Sequence, residues 1–309
     1  MRAPDAVLEM DSLTKRYGPI LALDDVTMTV PRGTIFGFLG PNGAGKTTLI
    51  RIVMGFMRAT SGHARMFGHD AWSDGVRARE RVGYLVTADG LYPDLTGYQQ
   101  LDYAATISGR PPEWRGRILD ALELDDAALR RALRTYSKGM RQKLALTAAA
   151  QNRPELLVLD EPTDGLDPLI QRNFEEMLRS FRDDGTTVFM SSHDLGEVER
   201  TCDQVAVVRS GKLIAAGAMD SLKQRYAQRV EVDFDGAVPD GIDAVAGVEI
   251  VHRTEHGVEM RLDHDINPLL GYLAAHPVRR MEVRPPELQE VFLSFYERGN
   301  GAGAEGGRG

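Results

Sequence analysis

A single cysteine, Cys202, stands in the chain, so no disulfide can form within it, and a reducing cytosol is the expected setting. No apolar run approaches the roughly 18 residues that a membrane-spanning helix needs. The opening residues, MRAPDAVLEMDSLTKRYG, carry acids where a secretory leader needs an uninterrupted apolar stretch. A soluble chain is expected, with any membrane role running through a partner. Excess basic charge is also missing. The formal net charge is −8, which argues against nucleic acid as a partner, because phosphate backbones call for a basic face. Nor is there a G-x-G-x-x-G: after Gly43 and Gly45 comes Thr48 where the third glycine should stand, which excludes the dinucleotide fingerprint.

What is present suffices for a sizeable core. The apolar share is 42% of 309 residues, and that length accommodates two domains. TIFGFLG from Thr34, LLVLDEP from Leu156 and TTVFMSSH from Thr186 read as buried strands. QVAVVRSGKLIAAG from Gln204 reads as a hairpin turning at Ser210-Gly211. KTTLIRIVMGFM reads as a helix with Leu49, Ile52, Val53 and Phe56 on one face. Strands alternating with helices predict a largely parallel α/β sheet. From about 101 to 151 the pattern turns helical, and RGRILDALELDDAALRRAL spaces Ile118, Leu119, Leu122 and Leu129 at helical intervals. After Ser221 come the strand-like pieces RVEVDFDG, GVEIVH and GVEMRL, then the helices NPLLGYLAAH and PPELQEVFLSFY. The ending GNGAGAEGGRG has nothing to bury and is expected to be disordered. No internal repeat is visible.

GPNGAGKT, Gly40 to Thr47, satisfies the phosphate-loop (Walker A) pattern. Glycines let successive N–H groups turn inward around phosphate oxygens, and the following helix points its positive end at the same anion. Lys46 has the reach for the β and γ phosphates, and the Thr47 hydroxyl suits Mg²⁺. The competing reading is a glycine turn that merely caps a helix. Its position between a strand and an amphipathic helix disfavours that reading. LLVLDE ends an apolar strand in two acids. Solvated strand ends often look like this. Beside a phosphate loop, however, Asp160 would hold Mg²⁺ through water and Glu161 would orient or deprotonate the attacking water.

Four further segments complete the pattern. TYSKGMRQKLAL contains Ser137 and Gly139, PTDGLDP contains Asp167, SSHD contains His193, and KRYG places Tyr17 ahead of them all. Together with the phosphate loop, over roughly 7 to 217, they resemble the ABC-type ATPases. The ordered set is more specific than any member, since other phosphate-loop enzymes lack the signature segment. The resemblance implies a phosphate-loop NTPase of RecA-like α/β fold, with a β subdomain and a helical subdomain at about 91–150. It places the nucleotide-binding domain at 1–220, a small C-terminal α+β accessory domain at 221–298 and a tail at 299–309.

It further implies that two copies pair head to tail around two ATP. Ser137 and the amides at Gly139 would then meet the γ-phosphate held by the opposite copy, a role suited to a helix N-terminus. The plainer reading, that Ser137 caps its own helix, is compatible with this one. By the same resemblance Tyr17 stacks on adenine, Asp167 occupies the centre of the D-loop, and His193 hydrogen-bonds the γ-phosphate. Gly40, Asn42, Gly43, Ala44, Gly45, Lys46, Thr47 and Thr48 cradle the phosphates. Glu161, His193 and Lys46 carry the catalysis, with Thr47 and Asp160 on Mg²⁺. His252 and His256 are read as structural, since strand and turn positions do not converge on a metal.

Two departures stand out. Thr87 occupies the place where the family often has a glutamine approaching Mg²⁺, and its shorter hydroxyl would need a bridging water. The signature reads Tyr-Ser-Lys-Gly-Met, a form that resembles the drug-export and antibiotic-resistance branch, whose permeases are of ABC-2 type. The C-terminal VRPPELQEVFLSFY is similar to the appended domain of that branch. The expectation is therefore an ATPase that sits on the cytoplasmic face of a membrane through a permease, received near Leu91 to Tyr98, and that drives export. Two alternatives stay open: a soluble ATPase acting on nucleic acid or ribosomes, and an import ATPase. Such soluble relatives usually carry two cassettes or long inserts, and this chain has one phosphate loop and one signature.

Overall fold

The computed structural model describes residues 6–85, 90–219, 221, 228–262 and 265–284. Thr87, the PPELQEVFLSFY segment and the glycine-rich tail lie outside them. The chain divides into two compact units, Met1–Gly217 and Ala218–Gly309.

The first unit opens with two long strands, β1 (Ala6–Tyr17) and β2 (Ile20–Pro31), and then β3 (Ile35–Leu39), which leads through the glycine loop into α1 (Lys46–Val53). After α1 come β4 (Ser61–Met66), β5 (His69–Asp70), α2 (Gly75–Arg79) and β6 (Val82–Tyr84). A helical stretch holds α3 (Gly97–Ser108), α4 (Arg115–Ala121), α5 (Asp126–Leu129) and α6 (Lys138–Ala150). The chain then returns to sheet with β7 (Leu156–Asp160), α7 (Pro168–Asp183), β8 (Thr187–Ser192), α8 (Leu195–Thr201), β9 (Gln204–Arg209) and β10 (Lys212–Ala218).

Two sheets result. β2-β1-β4-β5 form an antiparallel sheet, and β10-β9-β3-β8-β7-β6 form a six-stranded one in which β9, β3, β8, β7 and β6 run parallel. Every residue of β3 and of β8 is buried, as expected for central parallel strands covered on both faces. Phe38, Leu49, Ile50 and Phe189 join Leu8, Leu13 and Val26 in one core, which welds α1 between the two sheets. Ser210 (φ 48) and Gly211 (φ 79) both turn left-handed between β9 and β10, the geometry of a tight hairpin.

The helical stretch has its own core of Leu101, Leu124, Leu129, Leu133, Tyr136 and Leu144. A capping box of Thr96 and Gln99 starts α3. The helical spacing read across 115–133 does not make one helix. Glu123 turns left-handed (φ 51) and splits it into α4 and α5. Phe56 is likewise off the predicted face: α1 ends at Val53, Gly55 turns left-handed (φ 68), and Phe56 packs edge-on against Tyr84.

The second unit contains β11 (Gln228–Phe234), β12 (Val248–Arg253), β13 (Gly257–Leu262), α9 (Asn267–Leu273) and β14 (Val278–Arg284). These strands form an antiparallel sheet in the order β12-β13-β11-β14. Val230, Val232, Phe234, Val258, Met260 and Leu262 pack with Leu269 and Leu273 of α9 into a separate core. The sequence pattern does not announce β14. His252 lies in β12 and His256 in the turn after it, and among the described residues no cluster suited to a metal forms from His, Cys, Asp and Glu. Among the described residues, no helix is long and apolar enough to cross a membrane.

Candidate nucleotide site

Parallel register aligns the ends of three strands. Leu39 of β3 lies opposite Ser192 of β8, and Asp160 of β7 lies opposite Ser191. Each strand therefore delivers its outgoing loop to the same edge, where open α/β sheets bind ligands. The glycine loop leaves β3, Glu161 leaves β7 and His193 leaves β8.

The glycines are dictated by space. A Cβ on Gly40 would lie 2.4 Å from the Val208 carbonyl oxygen. Gly45 has φ 107, and a Cβ there would lie 2.4 Å from the Ala22 carbonyl oxygen. Gly40 N–H donates to Ser192 O at 3.2 Å, and Ala44 N–H donates to Pro41 O at 3.1 Å, which fixes the loop. Asn42 and Gly43 lie exposed on it, as does Thr47 on the first turn of α1, with Thr48 half-buried beside it. Gly45 is the N-cap of α1 and provides no side-chain cap. By contrast, Thr96, Asp125, Ser137, Asp167 and Asp194 each cap their own helices. The first-turn amides of α1 are thus left to an anion, with the helix dipole aligned to favour it.

Lys46 is only 6% exposed, so its charge must be met locally. Its ammonium donates to Gly40 O (2.6 Å) and Pro41 O (3.2 Å), and it pairs with Glu161 Oε1 at 3.1 Å. The second oxygen of that carboxylate, Oε2, lies 2.7 Å from His193 Nδ1. Glu161 itself is held at φ 49, an uncommon conformation for a side-chain-bearing residue. Its N–H donates to Ser191 Oγ at 3.1 Å, and the Ser191 hydroxyl donates to Asp160 Oδ1 at 2.5 Å. One serine thereby orients both acids. Lys46, Glu161 and His193, from three separate segments, converge on a single cluster. The Thr47 hydroxyl and the Asp160 carboxylate are hard oxygen donors, the type that Mg²⁺ takes.

The signature segment forms a second, outward-facing group. Ser137 is exposed, and its Oγ accepts from Met140 N–H at 3.2 Å as the N-cap of α6. Tyr136 is buried and donates its hydroxyl to Ala128 O at 2.7 Å, anchoring the turn. Gly139 abuts the Gly165 carbonyl, where a Cβ would come within 2.9 Å. Lys138 pairs with Asp164 at 2.7 Å, and the buried Gln142 amide donates to Pro162 O at 2.8 Å. Asp167 caps α7 by accepting from Leu169 and Ile170 N–H. Among the described residues, no hydrogen bond or ion pair joins Ser137, Gly139 or Asp167 to the glycine loop of the same chain. Tyr17 ends β1, 41% exposed, with Lys15 Nζ 5.2 Å from its ring centre and its hydroxyl on Met57 Sδ.

A cavity of about 620 Å³ opens elsewhere in the first unit, lined among others by Val76, Tyr84, Leu91, Tyr92, Tyr103 and Ile107. Val76 and Ile107 are strongly exposed, and Tyr92 stacks edge-on with Tyr103.

Three residues of consequence escape the sequence pattern. Ser191 is visible in it only as part of SSHD. Gln142 looks like one more polar residue on an amphipathic helix. Glu197, three residues after the helix-capping Asp194, has the spacing of a surface capping acid, yet it is only 4% exposed.

Comparison with known proteins fits this geometry. Residues 23–164 match the family model described as ABC transporter. An uncharacterised ABC transporter ATP-binding protein of Bacillus subtilis, YhcH, is 38% identical over 298 residues, covering 94% of this chain and 95% of that protein. The daunorubicin resistance ATP-binding protein DrrA3 of Streptomyces coeruleorubidus is 38% identical over 233 residues, covering 74% of this chain and 73% of its own length. A solved ATP-binding subunit of an ABC transporter superposes with a TM-score of 0.65 at 30% identity, covering 71% of this chain and 92% of that one. A glycine cradle, a strand ending in paired acids and an outward-facing signature helix thus come together in one ATP-hydrolysing fold, and the chain belongs to the ABC transporter ATP-binding proteins.

Proposed function

We propose that this ATPase is the motor of an exporter: two copies close head to tail around two ATP and drive a separate multispanning permease of ABC-2 type. The observation that carries the reading is the exposed Ser137 at the start of α6. Its helix end faces outward, where a nucleotide held by a second copy can reach its hydroxyl and the amide at Gly139. The glycine loop and Lys46 grip the phosphates, Tyr17 offers its ring to the base, and Asp167 shapes the facing D-loop.

Glu161 positions the attacking water and takes its proton, while His193 steadies Glu161 and meets the γ-phosphate. Thr47, and Asp160 through water, would hold Mg²⁺, which would supply neutralisation of phosphate charge. Work comes from the difference in affinity of ATP and ADP for the closed pair, not from contact with cargo. The apolar cavity beside Leu91 and Tyr92 suits the permease, which would hold the chain at the cytoplasmic face of the membrane. The similarity to DrrA3, a daunorubicin resistance protein, favours export over import and over a role on DNA or ribosomes.

Glu161→Gln protein, saturated with Mg-ATP, is expected to run as a dimer in size-exclusion chromatography with light scattering and as a monomer with ADP. A monomer under both conditions overturns the sandwich. Isolation from membranes with a multispanning protein, rather than with ribosomes or DNA, tests the partner class.

A further inference from the structure

Among the described residues of the first unit two acids are buried, Glu175 and Glu197, and they are met differently. Glu175 receives Arg200 at 2.9 Å and Arg179 at 3.8 Å. Among the described residues Glu197 has no such ion pair, although it is 4% exposed. Its Oε2 accepts the hydroxyl of Ser192, the last residue of β8 and the one before His193. The Thr163 hydroxyl, two residues past Glu161, faces the same carboxyl close enough to stabilise its charge, while Oε1 itself lacks a partner in hydrogen-bonding geometry. Ser192 O in turn receives the N–H of Gly40, the first glycine of the phosphate loop.

A buried carboxyl held by hydroxyls and without an ion pair is costly, and the helix start does not need it as a cap, since Asp194 already caps α8. It lies where the segments carrying His193, Glu161 and the phosphate loop meet. We propose that Glu197 is a positioning residue for hydrolysis: through Ser192 and Thr163 it holds the His193 and Glu161 segments at the separation their 2.7 Å contact requires. This rests on the reading of Glu161 and His193 as the hydrolytic pair. Burial pushes the Glu197 carboxyl above the usual carboxylate range, against the Ser192 and Thr163 hydroxyls, with Asp194 and Glu161 adding to the rise. An amide of the same shape keeps an oxygen that accepts from Ser192 and is a close substitute on that ground.

The test is steady-state ATP hydrolysis by the full chain, with nucleotide affinity read from a fluorescent ATP analogue and folding from thermal melting. Glu197→Gln is expected to keep kcat within about threefold. Glu197→Leu, which cannot accept from Ser192, is expected to lose about tenfold or more in kcat, with KM and analogue affinity within about twofold, because sub-ångström misplacement costs rate rather than binding. A wild-type kcat in Glu197→Leu, or a matching loss of nucleotide affinity, overturns the proposal. Should Glu197→Leu fail to fold, the pair Ser192→Ala and Thr163→Val reads the same quantity from the other side, and an unchanged kcat there overturns it too. Glu161→Gln run in parallel separates the two readings: full hydrolysis in that variant defeats the hydrolytic pair itself, whatever Glu197 does.

Discussion

His193 Nδ1 and Lys46 Nζ share one carboxylate, that of Glu161: the imidazole lies 2.7 Å from Oε2 and the ammonium 3.1 Å from Oε1. The carboxylate is thereby fixed at both ends, from the segment that follows β8 and from the phosphate loop. His193→Ala releases one end only. Phosphate release is expected to fall by about 10²-fold, the scale of a lost acid–base positioning group, while a fluorescent ATP analogue binds within about threefold of wild type. Equal losses in both would show that His193 serves binding instead.

Ser137 has a cap role within its own chain and a proposed role toward a second one, and two substitutions separate them. Ser137→Ala removes the bond to Met140 N–H and is expected to cost about 1 kcal/mol in a denaturant titration. Ser137→Asp caps α6 as well as serine does, so its stability should match wild type. Its added negative charge would face a γ-phosphate, so ATP-driven dimerisation and hydrolysis should both collapse. Normal hydrolysis in Ser137→Asp would remove the phosphate from the account of α6.

Gln142 ties the signature helix to the loop beyond Glu161, through its 2.8 Å bond to Pro162 O. Gln142→Leu fills the same volume and leaves that carbonyl without the amide. A loss of about 1–2 kcal/mol is expected, the cost of a buried polar group stripped of its partner. Hydrolysis should fall more than Ser137→Ala stability would explain, since the loop behind Glu161 loosens.

Asp70 gives a pH signature. Burial alone would raise its pKa, but the N–H groups of Trp72 and Ser73, the Ser73 hydroxyl and His63 overcome that and lower it to about 2 from 3.8. As pH falls, the unfolded chain takes up the proton first. The stabilisation is therefore complete above about pH 3.8 and is lost between there and about pH 2. It amounts to about 1 kcal/mol once solvent screening is allowed for. Asp70→Asn should be less stable at neutral pH and should flatten the acid limb of a stability–pH curve. An unchanged limb would locate the acid sensitivity elsewhere.

Much of the fold is legible where short-range physics decides it. β3 reads as a strand because both faces are covered and every residue is apolar or glycine. The β9–β10 turn reads from Ser210-Gly211, a turn dipeptide whose glycine takes left-handed backbone freely and whose serine is carried into it by the tight hairpin. Elsewhere local pattern misleads. Glu123 breaks a run that is helical by spacing, because Leu124 is drawn into the core with Leu101 and Leu129. β14 stays hidden because its apolar residues, Val278, Met281 and Val283, do not alternate: a register shift opposite Phe234 sets Val278 out of step, and Arg279, Arg280 and Arg284 stand between and after them. Bulges between Met10 and Leu13 do the same to β1.

The chemistry of the phosphate loop is legible in the sequence alone, because eight consecutive residues form it and the left-handed turns at Gly43 and Gly45 are local, even though the crowding that bars a Cβ at Gly40 and Gly45 comes from Val208 and Ala22. Which side chains meet Glu161 is not. Lys46, Ser191 and His193 reach it only because parallel strands β3, β8 and β7 stand in one register, with Leu39 opposite Ser192 and Asp160 opposite Ser191. Register is settled by the packing of whole strands against α1, α7 and α8. So is the burial of Glu197, which in sequence is an ordinary helix-start acid and in the folded chain lies beneath the site.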